Sequence, residues 1–185
     1  MIIRLSDKLA KKIREADLPS APPNPNPFAD WTARLFTADR TQYILVSNTA
    51  SLYSAVFYGK GITDDNRLIH SAIDSIRDMM EHDGLDETYK KYFAPETGQV
   101  VFAKASNRSV ISSMNEMIFR AKWYLADDEM SPFDVALRLN ETPTSYVKND
   151  YPRDAFRLMA PELQRSETGD NVISFPEAPR RPKDR

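Results

Sequence analysis

The chain contains no cysteine, and this absence excludes several kinds of chemistry at once. Without thiols there are no disulfides, no thiolate nucleophile and no cysteine-ligated zinc. Histidine is almost as scarce, because the only two, His70 and His82, fall on one predicted helix, about 18 Å apart at 1.5 Å per residue. Two side chains that far apart cannot bind the same ion. We therefore expect the chain to hold neither a metal nor a cofactor.

Glycine is also sparse, with five residues scattered along a chain of 185. The sequence therefore lacks the glycine-rich loop that binds phosphates and the Gly-x-Ser-x-Gly turn of serine hydrolases. Asp64 and Asp65 precede a predicted helix, where carboxylates satisfy free N–H groups. The acids at 127–129 lie between two predicted helices, and nothing in the pattern makes them converge with others. The sequence favours a protein that is not an enzyme.

Strong net charge and long apolar runs are both missing. The formal net charge is −2, which gives no global attraction to nucleic acids or anionic membranes. No stretch approaches the ~18 apolar residues of a membrane span, and the apolar start of the chain is too short for a signal peptide. We expect a cytoplasmic protein of bacterial type that does not enter a membrane.

Apolar runs predict a sheet. Residues 31–37 alternate weakly between apolar and polar, whereas 42–47 and 53–58 are richer in apolar side chains. Short polar turns join these three runs, which indicates an antiparallel meander. We expect the two apolar runs to lie beside a further strand at 100–105, and another strand is predicted at 1–5.

Helical spacing of apolar residues predicts long helices at 66–83 and 107–125. Ser6 is predicted to cap a shorter helix at 7–17, and the Ser-Pro-x-Asp sequence at 131–134 marks the beginning of another. The order of elements is not the βαβ alternation of a parallel sheet. We therefore expect an α+β fold in which several helices pack against an antiparallel or mixed sheet of four to five strands.

Proline marks two irregular segments. Five prolines lie between Leu18 and Phe28, and because each removes a backbone donor, we expect an ordered but irregular strap there. Residues 161–185 are polar and proline-rich, a composition that cannot bury enough surface to offset its ordering entropy. We expect a single α+β domain at 1–160 followed by a disordered tail.

A family resemblance rests on four stretches, which are MIIRLSDKLAKKI, WTARLFTADRTQYILVSN, SLYSAVFYG and KASNRSVISSMNEMIFRA. In this order, over roughly residues 1–121, they resemble a bacterial family catalogued as a domain of unknown function. The resemblance implies a shared fold, and it brings no catalytic or binding residues with it. Some members of that family are associated with plasmid-encoded reading frames, which implies a mobile-element context.

Polar residues in the predicted turns suggest a small ligand site. Arg40 and Asn48 flank a predicted strand, and Asn107 and Arg108 begin a predicted long helix. If these meet at one end of the sheet, they form a pocket for an anion or a polar ligand beside a helix N-terminus. Turn and capping chemistry is the simpler explanation, because such residues normally serve the backbone.

Nucleic-acid binding is a further alternative. The predicted helix at 7–17 has a basic face, and Arg120 and Lys122 lie beside Trp123 and Tyr124, whose rings are able to stack on bases. The negative net charge and the lack of a phosphate-binding motif argue against it. The basic face of the first helix consists of Lys8, Lys11, Lys12 and Arg14.

The leading hypothesis is a non-enzymatic accessory or regulatory module that binds a protein partner or a second copy of itself. An exposed sheet edge would allow two copies to pair. The apolar island of the tail, Val172, Ile173 and Phe175, is a candidate contact, because an extended peptide can add a strand to such an edge.

Overall fold

The computed structural model describes residues 1–127, 130–147 and 150–161. In these ranges the chain forms a mixed five-stranded sheet with six α-helices, which confirms the expected α+β fold. The strands are β1 (Ile2–Leu5), β2 (Asp30–Ala38), β3 (Thr41–Asn48), β4 (Ser54–Tyr58) and β5 (Val101–Lys104). The helices are α1 (Asp7–Ile13), α2 (Asp65–His82), α3 (Asp86–Thr88), α4 (Arg108–Asp127), α5 (Pro132–Asn140) and α6 (Pro152–Arg157).

The strands β2, β3 and β4 form the expected antiparallel meander. The β2–β3 hairpin closes through two residues, Asp39 and Arg40, because Ala38 pairs directly with Thr41. Both turn residues have positive φ, 39° and 61°. Two-residue turns with positive φ at both positions match the twist of the strands that they join, so this hairpin is tight without a glycine.

The strand order is β4-β3-β2-β1-β5, and β1 is parallel to both of its neighbours. The expectation that the strand near 100–105 lies beside 42–47 and 53–58 is therefore wrong, because β5 is at the opposite edge from β4. Apolar composition identifies a strand but not its partner. Here the first strand of the chain inserts between the meander and β5, and makes the sheet mixed.

Both sheet edges are partly covered by polar groups of the same chain. At β4, the Asn140 side chain accepts a hydrogen bond from the Ser54 N–H (2.8 Å) and donates one to the Ser54 carbonyl (2.9 Å). At β5, the Lys104 N–H donates to the Pro19 carbonyl (2.9 Å) in the proline-rich strap. Unpaired edge groups invite pairing with other chains, so these bonds limit where a further strand can be added.

Three helices begin as the sequence predicts. The Asp64 carboxylate accepts a backbone N–H at the start of α2 (3.0 Å). The Asn107 side chain accepts two backbone N–H groups at the start of α4 (3.1 and 3.2 Å). Ser131 and Asp134 form a reciprocal capping box at α5. In each case a side-chain oxygen satisfies donors that the first helical turn leaves unpaired.

The helix α1 differs from its prediction at both ends. Ser6 occupies the N-cap position but makes no side-chain cap bond, and the helix ends at Ile13 rather than near residue 17. Arg14 adopts a left-handed conformation (φ 66°), and its N–H bonds back to the last turn. Apolar spacing continues beyond this point, but the chain turns there towards the strap, so tertiary geometry overrides the local pattern.

The core occupies both faces of the central strands. Because side chains alternate along a strand, Trp31 and Arg34 lie on opposite faces of β2. The ring of Trp31 contacts those of Phe93 and Phe156, so α6 and a π-helical turn at 89–93 cover this face. On the other face, the Arg34 guanidinium donates to the Ile111 carbonyl of α4 (3.0 Å).

The described ranges contain no helix that combines the length and apolarity needed to cross a membrane. Residues 162–185 lie outside those ranges, so the disorder of the tail and the domain boundary at 160 stay predictions.

Candidate interaction surface

The residues of the predicted ligand site do not all come together. Arg40 lies in the β2–β3 turn, whereas Asn48 lies at the other end of β3, opposite Trp31. Seven steps along an antiparallel strand span roughly 24 Å. The expectation that Arg40 and Asn48 meet at one sheet end is therefore wrong, because successive turns of a meander lie at alternate ends of its strands.

Asn48 is buried and serves the backbone. Its Nδ2 donates to the carbonyls of Pro27 (2.8 Å) and Asp30 (3.3 Å). Its Oδ1 accepts from the N–H groups of Ala50 (3.1 Å) and Ser51 (3.0 Å), and also from the Ser51 hydroxyl. An asparagine side chain has two donors and one acceptor oxygen. All of them are used, so Asn48 fixes the β3–β4 turn against the strap.

Asn107 and Arg108 lie together where β5 leads into α4. The Asn107 oxygen is occupied by the capping bonds, while Arg108 and Arg40 are both exposed. Ligand binding by the predicted set stays a prediction; the set is Arg40, Asn48, Asn107 and Arg108. The island of Val172, Ile173 and Phe175 lies outside the described residues, and its role as a contact stays a prediction too.

A buried ion pair, absent from the sequence-based expectations, joins β1 to β2. The Arg4 guanidinium donates through Nε and Nη2 to the two Asp30 carboxylate oxygens, both at 2.7 Å. It also donates to the carbonyls of Ala21 (3.0 Å) and Pro22 (2.8 Å) in the strap. Arg4 is 6% exposed and Asp30 4%. The planar fork of arginine suits this two-pronged contact.

The surroundings of Asp30 complete its hydrogen bonding. Burial alone would raise the pKa of Asp30, but hydrogen bonds from the Arg4 side chain and the Asn24 N–H outweigh it, and the pKa is lowered. Close by, the hydroxyls of Thr32 and Thr49 are 3.0 Å apart, and the Tyr146 hydroxyl donates to the Thr49 carbonyl (2.9 Å). This polar cluster is filled by its own members, so it holds β1, β2, the strap and the β3–β4 turn together.

Arg34 is the second arginine at the sheet, and it has no carboxylate partner among the described residues. Burial lowers its pKa, and its Nε has no hydrogen-bond partner in the same set. Its one hydrogen bond there is to the Ile111 carbonyl. A desolvated cation without a counter-ion costs stability, so Arg34 does not hold the sheet to α4 as Arg4 holds β1 to β2.

Tyr53, Asp83 and His82 are residue types that often act in catalysis, but here their hydrogen bonds connect elements of the fold. The Tyr53 hydroxyl donates to Asp83 Oδ2 (2.7 Å), and His82 Nδ1 lies 3.2 Å from Asp83 Oδ1. Burial first, and then the bond to Asp83, raise the pKa of Tyr53 above its usual range. The Tyr53 ring stacks on Phe156, and Arg157 donates to the Asp83 carbonyl (2.7 Å). The group thus joins the end of α2 to α6.

The other histidine serves its own helix. His70 Nδ1 lies 2.7 Å from the Asn66 carbonyl one turn earlier in α2. Across the described part of the chain, no three residues of the metal-ligating types converge on a common point.

A shallow groove runs along α1 and carries charge of both signs. Two of its basic residues, Lys11 and Arg14, belong to the predicted basic face of the first helix. A third residue of that face, Lys12, instead donates a hydrogen bond to the Gln42 side chain (2.7 Å). Because acids match the bases in number, the groove has no excess positive charge to attract a phosphate backbone. Its charged lining consists of Lys11, Arg14, Lys104, Asp7, Glu15 and Asp17.

Large aromatic side chains lie in solvent on the outer side of α4. Phe119 is 67% exposed and Trp123 63%. Being four residues apart, they are neighbours on one face of the helix. Neither ring takes part in an aromatic contact within the described residues. We call this pair, with the exposed polar residues Asn115, Glu116 and Lys122 around it, the aromatic face.

The inner side of α4 already supplies the apolar stripe that a packed helix needs. Val110, Met114, Met117 and Ala121 are buried. A helix that borders solvent normally carries polar residues opposite such a stripe. Exposed aromatic side chains there form a patch that stable packing does not explain, and patches of this kind mark interaction sites.

Neighbouring side chains are already partly engaged. The Tyr124 ring is half-buried and lies under the Arg138 guanidinium of α5, 5.9 Å from its centre. Trp123 points outwards instead. Of the two adjacent aromatic residues that the sequence suggests for base stacking, Trp123 is the more exposed, and half-buried Tyr124 lines a shallow groove beside it. Phe119 was missed by sequence reasoning, although its four-residue spacing from Trp123, outside the predicted buried stripe, is a usable signal.

The structure thus defines the class of this protein. It is an α+β domain with a mixed sheet, a proline-rich strap that is hydrogen-bonded to Arg4, and an exposed aromatic face on α4. A family model described as Domain of unknown function (DUF6933) matches residues 2–155. The chain belongs to this family. The resemblance noted over residues 1–121 is confirmed, and it extends through α5 into α6. Comparisons with curated proteins and with solved structures found no match.

Proposed function

We propose that the protein is a non-enzymatic interaction module that binds a protein partner through the aromatic face of α4. The exposure of Phe119 and Trp123 carries this proposal. Aromatic residues supply large contact area with little side-chain entropy, and they dominate the energy of many interfaces. A cytoplasmic regulatory or accessory role is part of the proposal, and its bacterial, mobile-element context rests on the family resemblance.

The arrangement of charges favours a protein over a nucleic acid. Two bases border the aromatic face, exposed Lys122 and half-buried Arg120, and Glu116 lies on the same surface. Nucleic-acid binding depends on several cations lying along a phosphate backbone. Interfaces between proteins instead place aromatic residues at a centre that charged and polar residues surround.

The polar groups elsewhere support the same role. The Arg4–Asp30 pair, Asn48 and the Tyr53–Asp83 pair each bond to partners within the fold. A catalytic group has to reach substrate and carry out a proton or electron-pair transfer. Each of these side chains is committed to joining two elements, so their arrangement fits a scaffold for α4.

The proposal is tested by affinity capture with matched variants of the full chain. Phe119→Ser and Trp123→Ser remove the aromatic face, and Tyr151→Ser removes an exposed aromatic ring that is not on α4. We expect partners captured from cells to be lost with the first two variants and kept with the third. Capture that is the same for all three contradicts the proposal. Retention of RNA or DNA that depends on Trp123 at low salt would favour the nucleic-acid alternative instead.

A further inference from the structure

We infer that the outer edge of β5 binds an extended peptide, and that its occupant is the apolar island of the chain's own tail, at 172–175. This inference goes beyond the aromatic face and does not depend on it. Backbone groups at a sheet edge bind extended segments through main-chain hydrogen bonds, so the edge and the segment have to be considered together.

The edge of β5 presents unpaired backbone groups at Phe102. The N–H groups of Val101 and Ala105 donate to carbonyls of residues 1 and 5, on the side of β1. Because alternate residues of a parallel strand face the same neighbour, Phe102 and Lys104 direct their backbone groups away from β1. The Lys104 N–H is bonded to the Pro19 carbonyl. In the described part of the chain, the backbone of Phe102 has no such partner.

The side chains at this edge also leave apolar surface uncovered. Val101 is 44% exposed, although it lies in a strand of the sheet, and Phe102 is half-buried. Since side chains alternate along a strand, these two lie on opposite faces of β5. An added strand would place a side chain beside each of them, and apolar pairs across strands stabilise a sheet.

The other edge of the sheet is less suitable for a further strand. The Asn140 side chain is bonded to both backbone groups of Ser54 in β4. The helix α5 packs on the same strand, and its residues Val135, Ala136 and Leu139 are buried. At β5 the strap takes the N–H of Lys104 alone, so a short strand still fits beside Phe102.

The tail is long enough to reach β5. The register places Phe102 two strands away from Trp31, about 10 Å. The ring of Phe156 lies 5.8 Å from that of Trp31, and the last described residue, 161, follows Phe156 by five positions. Eleven residues lead from there to the island, and they extend over up to about 36 Å. The island therefore reaches the β5 edge of its own chain.

The composition of the island suits this edge. Valine, isoleucine and phenylalanine favour strands, and 172–175 is the one apolar run within 162–185. Pro176 follows it and cannot donate to a ladder, so the strand ends there. A flexible tether holds the island at an effective concentration of about 1 mM, so a pairing with a Kd of about 0.1 mM is about nine-tenths occupied.

Hydrogen exchange of the full chain, followed by NMR at about 50 μM, tests the pairing. This concentration is well below the effective concentration of the tether. We expect Ile173→Pro, which removes a donor from the island, to speed exchange of the Phe102 N–H about tenfold. Ser166→Pro, elsewhere in the tail, is the matched control and is expected to change nothing. The Val101 N–H, bonded to the Met1 carbonyl, is expected to stay slow in all three chains.

A spin label tests the position of the island. Because the chain has no native cysteine, Ser174→Cys carries a single nitroxide. We expect it to broaden the amide signals of Val101 and Phe102 most strongly, and those of β4 least, because β4 is about 24 Å from a strand added beside β5. Labelled chains mixed with unlabelled, isotopically enriched chains are expected to leave the enriched signals sharp.

Several results would overturn the inference. Equal exchange of the Phe102 N–H in the unmodified chain and in Ile173→Pro would show that the island does not pair there. Strongest broadening at Trp123 would place the tail on the aromatic face instead. Broadening in the mixture would make the occupant the tail of a second copy. None of these results bears on the proposed function, because Phe119 and Trp123 are not part of the β5 edge.

Discussion

Arg4 and Trp123 occupy opposite environments, and in each case the environment is unusual for the residue type. Arg4 is a charged side chain with 6% of its surface exposed, inside a polar cluster between β1, β2 and the strap. Trp123 is an aromatic side chain with 63% exposed, on the outer side of α4. Charged residues are seldom buried unless they are paired, and large apolar residues in solvent require a further explanation when they cluster.

The difference between the two regions lies in whether their interactions are complete. The polar cluster satisfies its own hydrogen bonds, from Arg4–Asp30 to Asn48, so its residues act on the fold. The aromatic face has no such partners among the described residues. We expect the polar cluster, whose hydrogen bonds are all made within the fold, to determine stability. We expect the aromatic face, whose rings have no such partners in the described chain, to determine binding. Each prediction below tests one side of this division.

The largest effect is expected from Arg4→Met. Removal of one partner leaves the Asp30 carboxylate buried and unpaired, which costs about 3–5 kcal/mol of the free energy of unfolding. Urea denaturation of the full chain measures it. The double variant Arg4→Met/Asp30→Leu is the control, and it is expected to regain much of the loss because no buried charge remains. A loss below about 1 kcal/mol in Arg4→Met would show that the pair does not hold the sheet.

Asn48→Ala is expected to have the next largest effect. It leaves the Pro27 carbonyl and the N–H groups of Ala50 and Ser51 without their side-chain partner. Buried groups left unpaired cost about 1–3 kcal/mol, so we expect a loss of about 2–3 kcal/mol in urea denaturation. Arg40→Ala, in the exposed turn at the other end of β3, is the matched control, and we expect it to change little. Equal effects would contradict the distinction between the two ends.

The pH dependence of stability is expected to reveal Asp30. Its pKa in the folded protein is lowered from an unfolded value of about 3.9. A carboxylate of this kind contributes stability above about pH 4, and the contribution is lost as the pH falls through the folded pKa. The difference in unfolding free energy between the unmodified chain and Asp30→Asn is therefore expected to be constant near neutral pH and to shrink below about pH 4. A difference that stays the same down to pH 2 would contradict this.

Arg34→Met is expected to be neutral or to stabilise the protein by up to about 1 kcal/mol. The variant removes a desolvated cation that lacks a carboxylate partner in the described chain, and it keeps much of the side-chain volume. Thermal unfolding measured beside Arg4→Met provides the comparison. A loss as large as that of Arg4→Met would mean that Arg34 has a counter-charge that the described residues do not supply.

The smallest effect on stability is expected from Trp123→Ser and Phe119→Ser, each within about 0.5 kcal/mol, because exposed side chains contribute little to folding. Dilute protein is required, so that association does not add to stability. Acrylamide is expected to quench the fluorescence of exposed Trp123 and not that of buried Trp31. Loss of the quenchable fraction in Trp123→Phe confirms the assignment. A large loss of stability would place these residues in the scaffold.

The sequence predicts much of the scaffold, because local signals specify it. Capping residues mark the beginning of α2, α4 and α5, and short polar turns identify the meander. The position of β5 is not predictable in the same way, since its pairing with β1 joins segments about a hundred residues apart. The sequence predicts the end of α1 too late. Arg14 adopts a left-handed conformation because the chain turns there towards the strap, and the local apolar spacing does not show this turn.

The candidate sites are predicted less well. The sequence predicts a ligand site from polar turn residues. In the structure Asn48 is buried and hydrogen-bonded to the backbone, and Arg40 lies at the other end of the same strand. The pairing of Arg4 with Asp30 depends on the register of β1 against β2, which no local pattern reveals. Trp123 is noticed for a different reason, as a stacking residue, and only the burial of the opposite side of α4 shows that it is exposed together with Phe119.

Covalent footprinting of Trp123 inside cells, compared with dilute purified protein, tests the central claim most directly. If the aromatic face is an interaction surface, the Trp123 ring is modified in the dilute protein and protected in cells, whereas Tyr151 is modified equally in both. Equal modification of Trp123 in both settings would show that nothing covers the face where the protein works, and would contradict the account.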